Sequence, residues 1–285
     1  MSFAIAFNEF RPLLFSIAYR MTGNVADSED ILQDVFEKWL QLDSPQITNP
    51  KAYLCKSVSN RCINYLNQQK RHRESYKGTW LPEPLIAHPS LQHLDQNIDI
   101  SYGIMRLLET LNPLERAIYL CKESFDFDYS ELSEMFDKRP DHCRQLYHRA
   151  QQKLQSDKKR FAVNPQQQQH LLQLFAKAAQ EGDFDGLLQF LKDDIGFYSD
   201  GGGKVPAATK PLFGKNIVAK FLVGIIQKFG EDYSIEPVLI NQSVGGIIRD
   251  AVTDEVISVF VFEWEDAFIQ NMYVLRNPDK LLIVK

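Results

Sequence analysis

The sequence predicts two all-α segments, the second carrying a helix-turn-helix, followed by an α+β domain. Three observations predict it. Apolar residues recur at three- and four-residue steps as far as about residue 157. Residues 77–98 interrupt that stretch with three prolines and little periodicity, which marks a linker. After a polar joint at residues 166–169, helix-like segments give way to strand-like runs.

In the first segment Phe7, Phe10, Leu14, Ile17, Ala18 and Met21 form one helical stripe. Gly23 and Asn24 break it. Asp27 or Ser28 is expected to cap a second helix, with Ile31, Leu32, Val35, Phe36, Trp39 and Leu40 on its apolar side. Ser44-Pro45 and Asn49-Pro50 mark a loop and a new start. A third helix follows from about Lys51 to Lys70. After the linker, Asn112-Pro113 is a good helix start, because Asn caps and Pro is tolerated in the first turn. Two short helices and a tight turn at Asp137 then lead into a cationic third helix, the pattern of a helix-turn-helix. Leu132, Phe136, Cys143 and Leu146 are its expected inner face. In the tail, helices are expected over residues 170–180 and 184–190. Strands are expected over 238–240, 246–248, 256–264, 272–275 and 281–284.

Bulk properties narrow the function. The 285 residues suit two domains or three small ones, and 44% apolar content suits a packed core in each. No run of about 18 apolar residues exists, so no membrane partner is expected. Glu9 and Arg11 interrupt the apolar N-terminus, which reads as an amphipathic helix rather than a signal peptide, and the expected location is cytoplasmic. Cys55, Cys62, Cys121 and Cys143 lack metal-ligand spacing and read as buried free thiols, so no metal or other cofactor is expected.

Charge is sorted along the chain. The net −5 arises entirely after residue 160, because residues 1–160 hold 21 basic and 21 acidic side chains. From Lys138 to Arg160 there are eight basic residues against two acidic. Arg144, Gln145, His148 and Arg149 are expected to project outward from the third helix. Arg and Gln suit bidentate contact with guanine and adenine edges. Lys153, Lys158, Lys159 and Arg160 extend the strip as phosphate contacts. The second helix of the first segment shows Asp27, Glu29, Asp30, Asp34 and Glu37 beside an aromatic stripe, a surface suited to docking protein rather than DNA. Helix-dipole complementation explains Asp27, Glu29 and Asp30 but not Asp34 or Glu37. The third helix ends on Asn60, Arg61, Asn64, Lys70, Arg71 and Arg73 with Tyr65 nearby, as a surface holding a melted strand requires.

Together these segments resemble extracytoplasmic-function sigma factors. YRMTGNVADSEDILQDVFEKWL resembles that family's polymerase-docking segment, and NPKAYLCKSVSNRCINYLNQQKR its promoter-melting segment. LNPLERAIYLCKESFDFDYSELSEMFDKRPDHCRQLYHRAQQKL resembles sigma region four. The resemblance is closer to the group with a SnoaL-like (NTF2-like) C-terminal extension. It rests on Trp80-Leu81-Pro82-Glu83-Pro84, Asp200-Gly201-Gly202-Gly203-Lys204 and Asn277-Pro278-Asp279-Lys280-Leu281. The resemblance implies region two over 1–76, a linker over 77–98, region four over 99–160 and a cone-shaped α+β barrel over 166–285. It implies core RNA polymerase and promoter DNA as partners. Docking falls to Glu29, Asp30, Gln33, Asp34, Phe36, Glu37 and Trp39, and upstream-element contacts to Arg139, Arg144, Gln145, His148, Arg149 and Lys153. It further implies that the tail touches the linker or the helical segments and adjusts polymerase engagement, with Trp80 a buried anchor opposite residues 200–204. Two departures stand out. Asp137 replaces the usual turn Gly, which Asp tolerates at some cost. Arg139, before Pro140, replaces the usual capping Ser and cannot cap as Ser does.

Relatives of such tails include cyclases and isomerases, but after His170 this tail has neither His nor Cys for acid–base or nucleophilic work, so no enzyme is expected. Residues 201–204 lack GxxxxGK[ST] spacing and read as a tight turn, not a phosphate loop. A small-molecule ligand in the tail stays open, without residue-level support. Two alternatives stay open beside the sigma reading: a helix-turn-helix regulator with a ligand-sensing tail, and a SnoaL-type enzyme fused to a DNA-binding domain.

Overall fold

The computed structural model describes residues 3–42, 47, 49–86, 100–155, 170, 173, 188–229, 233–265, 268–282 and 284. The polar joint at 166–169, nearly all of the helices expected over 170–190, and Lys158, Lys159 and Arg160 lie outside the described residues. The chain divides into two compact units. One holds Met1–Glu74, His88–Ile100 and Ile104–Lys158; the other holds Ser75–Ala87, Ser101–Gly103 and Lys159–Lys285. Much of the expected linker thus groups with the C-terminal unit.

The helices before the sheet are α1 (Phe3–Thr22), α2 (Val25–Leu40), α3 (Pro50–Glu74), α4 (Tyr102–Leu108), α5 (Pro113–Phe125), α6 (Tyr129–Phe136) and α7 (Pro140–Gln155), all in the helical unit except Tyr102 and Gly103 of α4. α1 ends where Gly23 turns to φ +68. α2 begins earlier than expected: the cap is Asn24, not Asp27 or Ser28, and its side chain accepts from the Asp27 amide at 2.7 Å. Asn24 has the extended backbone a cap requires, whereas Ser28 is already inside the helix and buried against Thr22. The core of this unit joins Leu14, Phe15, Tyr19 and Met21 to Leu32, Trp39, Leu54, Val58, Ile118 and Leu120, each at most 2% exposed. Each such burial stabilises by roughly 1.5–3 kcal/mol.

Capping boxes fix the helix-turn-helix. Asn112 pairs reciprocally with Glu115 at the start of α5, and Asp128 with Glu131 at the start of α6. Asp137 ends α6 in the left-handed conformation at φ 51, so Asp does occupy a position that favours Gly. α7 opens without a side-chain cap: the Arg139 carbonyl accepts from the His142 and Cys143 amides. Leu132, Phe136, Cys143 and Leu146 are buried as the periodicity predicts.

The C-terminal unit is a six-stranded sheet ordered β2-β1-β6-β5-β4-β3. Its strands are β1 (Leu191–Asp200), β2 (Leu212–Phe213), β3 (Tyr233–Ile240), β4 (Ser243–Asp250), β5 (Val256–Glu265) and β6 (Phe268–Leu275). The expected strands near 238, 246, 256–264 and 272–275 are present. The sheet is mixed, however, because β1 pairs parallel to β6. Leu281, Leu282 and Val284, within the strand expected over 281–284, are not in a strand. α9 (Pro278–Leu281) is a helical turn capped by the Asn277 side chain, and Pro278 favours that start. α8 (Lys215–Phe229), an element the strand-like texture of the tail concealed, packs Val218 and Leu222 on one sheet face with Phe260, Phe262 and Trp264. Period-two alternation sends Val259, Val261 and Glu263 to the other face. There Tyr198, Tyr273, Leu275 and Leu281 surround Leu81 and Tyr102.

Candidate functional site

The outward face of α7 carries the residues expected to meet DNA. Arg139, Arg144, Gln145, His148, Arg149 and Lys153 are all exposed. The Arg144 guanidinium lies 5.0 Å from the Tyr129 ring centre and 3.5 Å from Asp141. Lys153 differs from the others, because its ammonium donates at 2.6 Å to Glu115, which is 3% exposed.

The residues expected at the melted strand have protein partners. Asn60 donates to the Met135 carbonyl at 3.2 Å, and Arg61 donates through two nitrogens to Asp34 at 2.9 and 2.7 Å. Arg73 pairs with Glu109 and donates to the Thr22 carbonyl. Lys70 is 3.9 Å from Glu74, while Asn64 and Arg71 are exposed. Of the expected docking residues, Asp30, Gln33 and Glu37 are exposed, and Glu29 pairs with Arg11 at 2.5 Å. Phe36 packs on Phe7. Trp39 is a core residue, 2% exposed, with its ring 5.5 Å from that of Tyr53, so as a docking contact it is displaced by its neighbours. Asp34 and Arg61 therefore join the two expected surfaces through one ion pair.

The second candidate site is the seat of the linker on the sheet. Asp200 stands at the end of β1, fully buried, and its carboxylate accepts hydrogen bonds from four groups. The donors are Tyr76 Oη at 2.6 Å, the Leu81 amide at 2.9 Å, the Gly202 amide at 2.9 Å and Lys280 Nζ at 2.8 Å. Lys280 also donates to the Leu81 carbonyl at 2.5 Å, and its ammonium lies 4.1 Å from the Trp80 ring centre and 5.2 Å from that of Tyr76. Asn277 caps α9 and donates to Tyr76 Oη at 2.9 Å. Lys204 pairs with Asp279. Farther along, Leu85 and Asn241 exchange two hydrogen bonds of 2.8 and 3.0 Å. Burial, then the hydrogen bond to Asp200, pushes the Tyr76 phenol above its ordinary value. Gly202 has φ +61, and a Cβ there would stand 2.5 Å from the Asn277 side chain, so the turn after Asp200 needs glycine.

The three short motifs thus meet around one carboxylate and one ammonium. Trp80 does not serve as the buried anchor. It is half-buried as the lid over Lys280, while Leu81 at 0% and Leu85 at 2% exposure anchor the segment. Glu83 is also buried. Neither cluster holds ligands for a metal: no such group of His, Cys, Asp or Glu occurs among the described residues. All four cysteines are free and buried, and burial pushes the Cys121 thiol up to about 12. No helix among the described residues is long and apolar enough to cross a membrane.

The Sigma-70 region 2 family matches residues 6–72, which contain nearly all of α1–α3. The ECF RNA polymerase sigma factor SigJ of Mycobacterium tuberculosis is 29% identical over 96% of this chain and 91% of its own. Its crystal structure superposes with a TM-score of 0.77, covering 96% of each chain at 28% identity. This chain is a homologue of the ECF sigma factors. A second relative, the probable ECF sigma factor SigI of the same organism, is 26% identical over 67% of each chain. The fold of the ECF homologue is a helical sigma region followed by a C-terminal mixed-sheet domain, and a SnoaL-like protein from Burkholderia thailandensis is among its structural neighbours (17% identity, 40% of this chain and 97% of that one, TM-score 0.33). Sequence reasoning on this ECF homologue missed Tyr76, Leu85, Asn241 and Tyr102 at the linker seat. A tyrosine at each end of a proline-bearing segment was the available signal.

Proposed function

We propose that this ECF sigma homologue directs core RNA polymerase to specific promoters in the cytoplasm, without catalysis or cofactor, and that its sheet unit adjusts this activity in cis. Residues 1–76 serve as region two, 99–160 as region four, and 166–285 as the regulatory domain, with 77–98 between. α7 reads the upstream element through Arg139, Arg144, Gln145, His148 and Arg149, with Arg and Gln at base edges and the remaining cations on phosphates. Asn60, Arg61, Asn64, Lys70, Arg71 and Arg73 hold the opened strand once their present partners release them. The acidic side of α2 docks the polymerase.

The observation that carries the regulatory part is the burial of Leu81 and its main-chain bonds to Asp200 and Lys280. A passive tether would not surrender its backbone to a buried ion pair. The test is run-off transcription with core polymerase, comparing the full chain with a version ending near Asn164. Specific transcripts that change in amount on truncation support the reading. Failure of either protein to associate with core polymerase at low salt overturns the sigma role, and identical output overturns cis regulation.

A further inference from the structure

Three of the four cysteines meet at the seam between α3 and α5, a cluster that the transcription role leaves unused. Cys55, Ser59 and Cys62 are four and three positions apart, so they share one face of α3. Each cysteine then has its Cβ about 5–6 Å from that of Ser59. Cys121 of α5 faces the middle of this row, its sulfur 3.7 Å from Ser59 Oγ. All four side chains are 0% exposed. One thiol from α5 therefore stands opposite a hydroxyl that has a thiol one turn away on either side.

The closed seam protects these groups. Burial first, and then the neighbouring Cys121, raise the Cys55 and Cys62 thiols well above their ordinary value, and burial raises Cys121. The thiolate is the nucleophile, so the thiols react only when the seam parts. Side chains of α3 also close the seam. Lys56 donates to the Glu134 carbonyl of α6 at 2.7 Å, and Asn60 to the Met135 carbonyl at 3.2 Å. Asn60 must leave that carbonyl before it holds an opened strand.

We propose that Cys121, with Cys55 or Cys62, is a peroxide-responsive modification site that bridges α5 to α3 and silences the protein. This rests on the reading that α3 gives up its protein partners to hold the opened strand. In the parted seam one thiolate attacks a hydroperoxide. Its S–O bond forms as the O–O bond breaks, leaving a sulfenic acid and an alkoxide or hydroxide that takes up a proton. As the seam closes, the second sulfur attacks the first, an S–S bond replaces the S–O bond, and water leaves. Two electrons have passed from the thiol pair to the peroxide. The bridge then keeps α3 beside α5, with Asn60 on α6.

The test exposes the full chain to hydrogen peroxide, destroys the excess with catalase, and only then adds core polymerase. Free thiols counted in denaturant should fall from four to two. Mass spectrometry should find a linked peptide pair containing Cys121. Run-off transcript should fall about fivefold or more and return with dithiothreitol. Cys121→Ala should lose both the bridge and the peroxide sensitivity, while Cys55→Ala and Cys62→Ala identify the partner. Four free thiols after peroxide, a bridge without Cys121, or a bridged chain with unchanged output overturns the proposal. Should Cys121→Ala fail to fold, the double variant Cys55→Ala with Cys62→Ala decides by the same readouts. The thiol count needs no polymerase, so a chain that gives no transcript before oxidation counts against the sigma reading, and the count still decides the bridge.

Discussion

Lys280 Nζ sits 2.8 Å from Asp200 Oδ2 and 2.5 Å from the Leu81 carbonyl oxygen, so one ammonium joins the end of β1, the turn of α9 and the linker. Its charge is neutralised in place, and the Trp80 and Tyr76 rings lie against the ammonium. Removing one member of a buried pair leaves the other without compensation, at a cost of about 3–5 kcal/mol. Lys280→Met should therefore lower the urea midpoint of the sheet unit strongly. Lys280→Met with Asp200→Asn should lose less than the two single changes together, because the neutral amide has no stranded charge. Additive losses in the double-mutant cycle would show that the two residues act separately.

Tyr76 predicts a pH dependence. Its phenol is raised above the ordinary 10.0, first by burial and then by donation to Asp200. The folded state thus keeps a proton that the unfolded chain releases. The resulting stability is fully present below pH 10 and declines as pH rises above it toward the folded value. Tyr76→Phe lacks the hydroxyl, so it should be less stable than the parent at pH 8, and the gap should close in alkali. Urea unfolding at pH 8, 10 and 11 checks this, and a constant gap would contradict it.

Much of this architecture was legible because local physics decided it. Asn112 with Glu115 and Asp128 with Glu131 announce two helix starts within four residues each, and the burial of Cys143 and Leu146 follows from period alone. Where neighbours in space decided, the sequence was silent or misleading. β1 was missed because Asp193 and Asp194 break its alternation, although its later residues are buried. α8 is apolar on more than one side, with Ile217 and Ile225 exposed, so its period was blurred. Leu281 read as strand because its apolar run outweighed the Asn277-Pro278 start. The three motifs at the linker seat were visible as motifs, but their chemistry was not. Asp200 and Lys280 are 80 positions apart, and nothing local distinguishes Leu81 from Trp80 as the buried anchor.

On α7, three cations of similar appearance should behave differently. Arg144 is exposed and steadied over Tyr129, so Arg144→Ala should cost about 1–3 kcal/mol at a guanine and relax the preference there. Lys153 neutralises Glu115, whose carboxylate also accepts from the Asn112 amide. Lys153→Ala should lower the stability of the helical unit and change the salt slope of duplex binding little. Arg149→Ala should reduce that slope by about one. Binding titrations at several salt concentrations separate the three, and a slope change for Lys153→Ala equal to that for Arg149→Ala would show it free to meet phosphate.

In the helical unit, Glu109 gathers Arg73 from α3 and Arg116 from α5, and Arg116 also donates to the Met21 carbonyl at 2.6 Å. Burial alone would raise the Glu109 carboxyl, but the guanidiniums of Arg116 and Arg73 outweigh it and hold the group below the ordinary 4.5. The sign is then opposite to that of Tyr76. The contribution is present above pH 4.5 and is lost as acid protonates the folded state below that value. Glu109→Gln keeps the shape and surrenders two charge-assisted bonds, each worth about 1.5–3 kcal/mol. It should destabilise the helical unit at pH 7 and flatten its acid limb, so that the gap between parent and variant narrows as the pH falls below 4.5. Arg73 is also expected at the opened DNA strand, and freeing it from Glu109 has a second consequence. Glu109→Gln should tighten binding of single-stranded DNA at neutral pH, and weaker or equal binding would count against Arg73 as a strand contact.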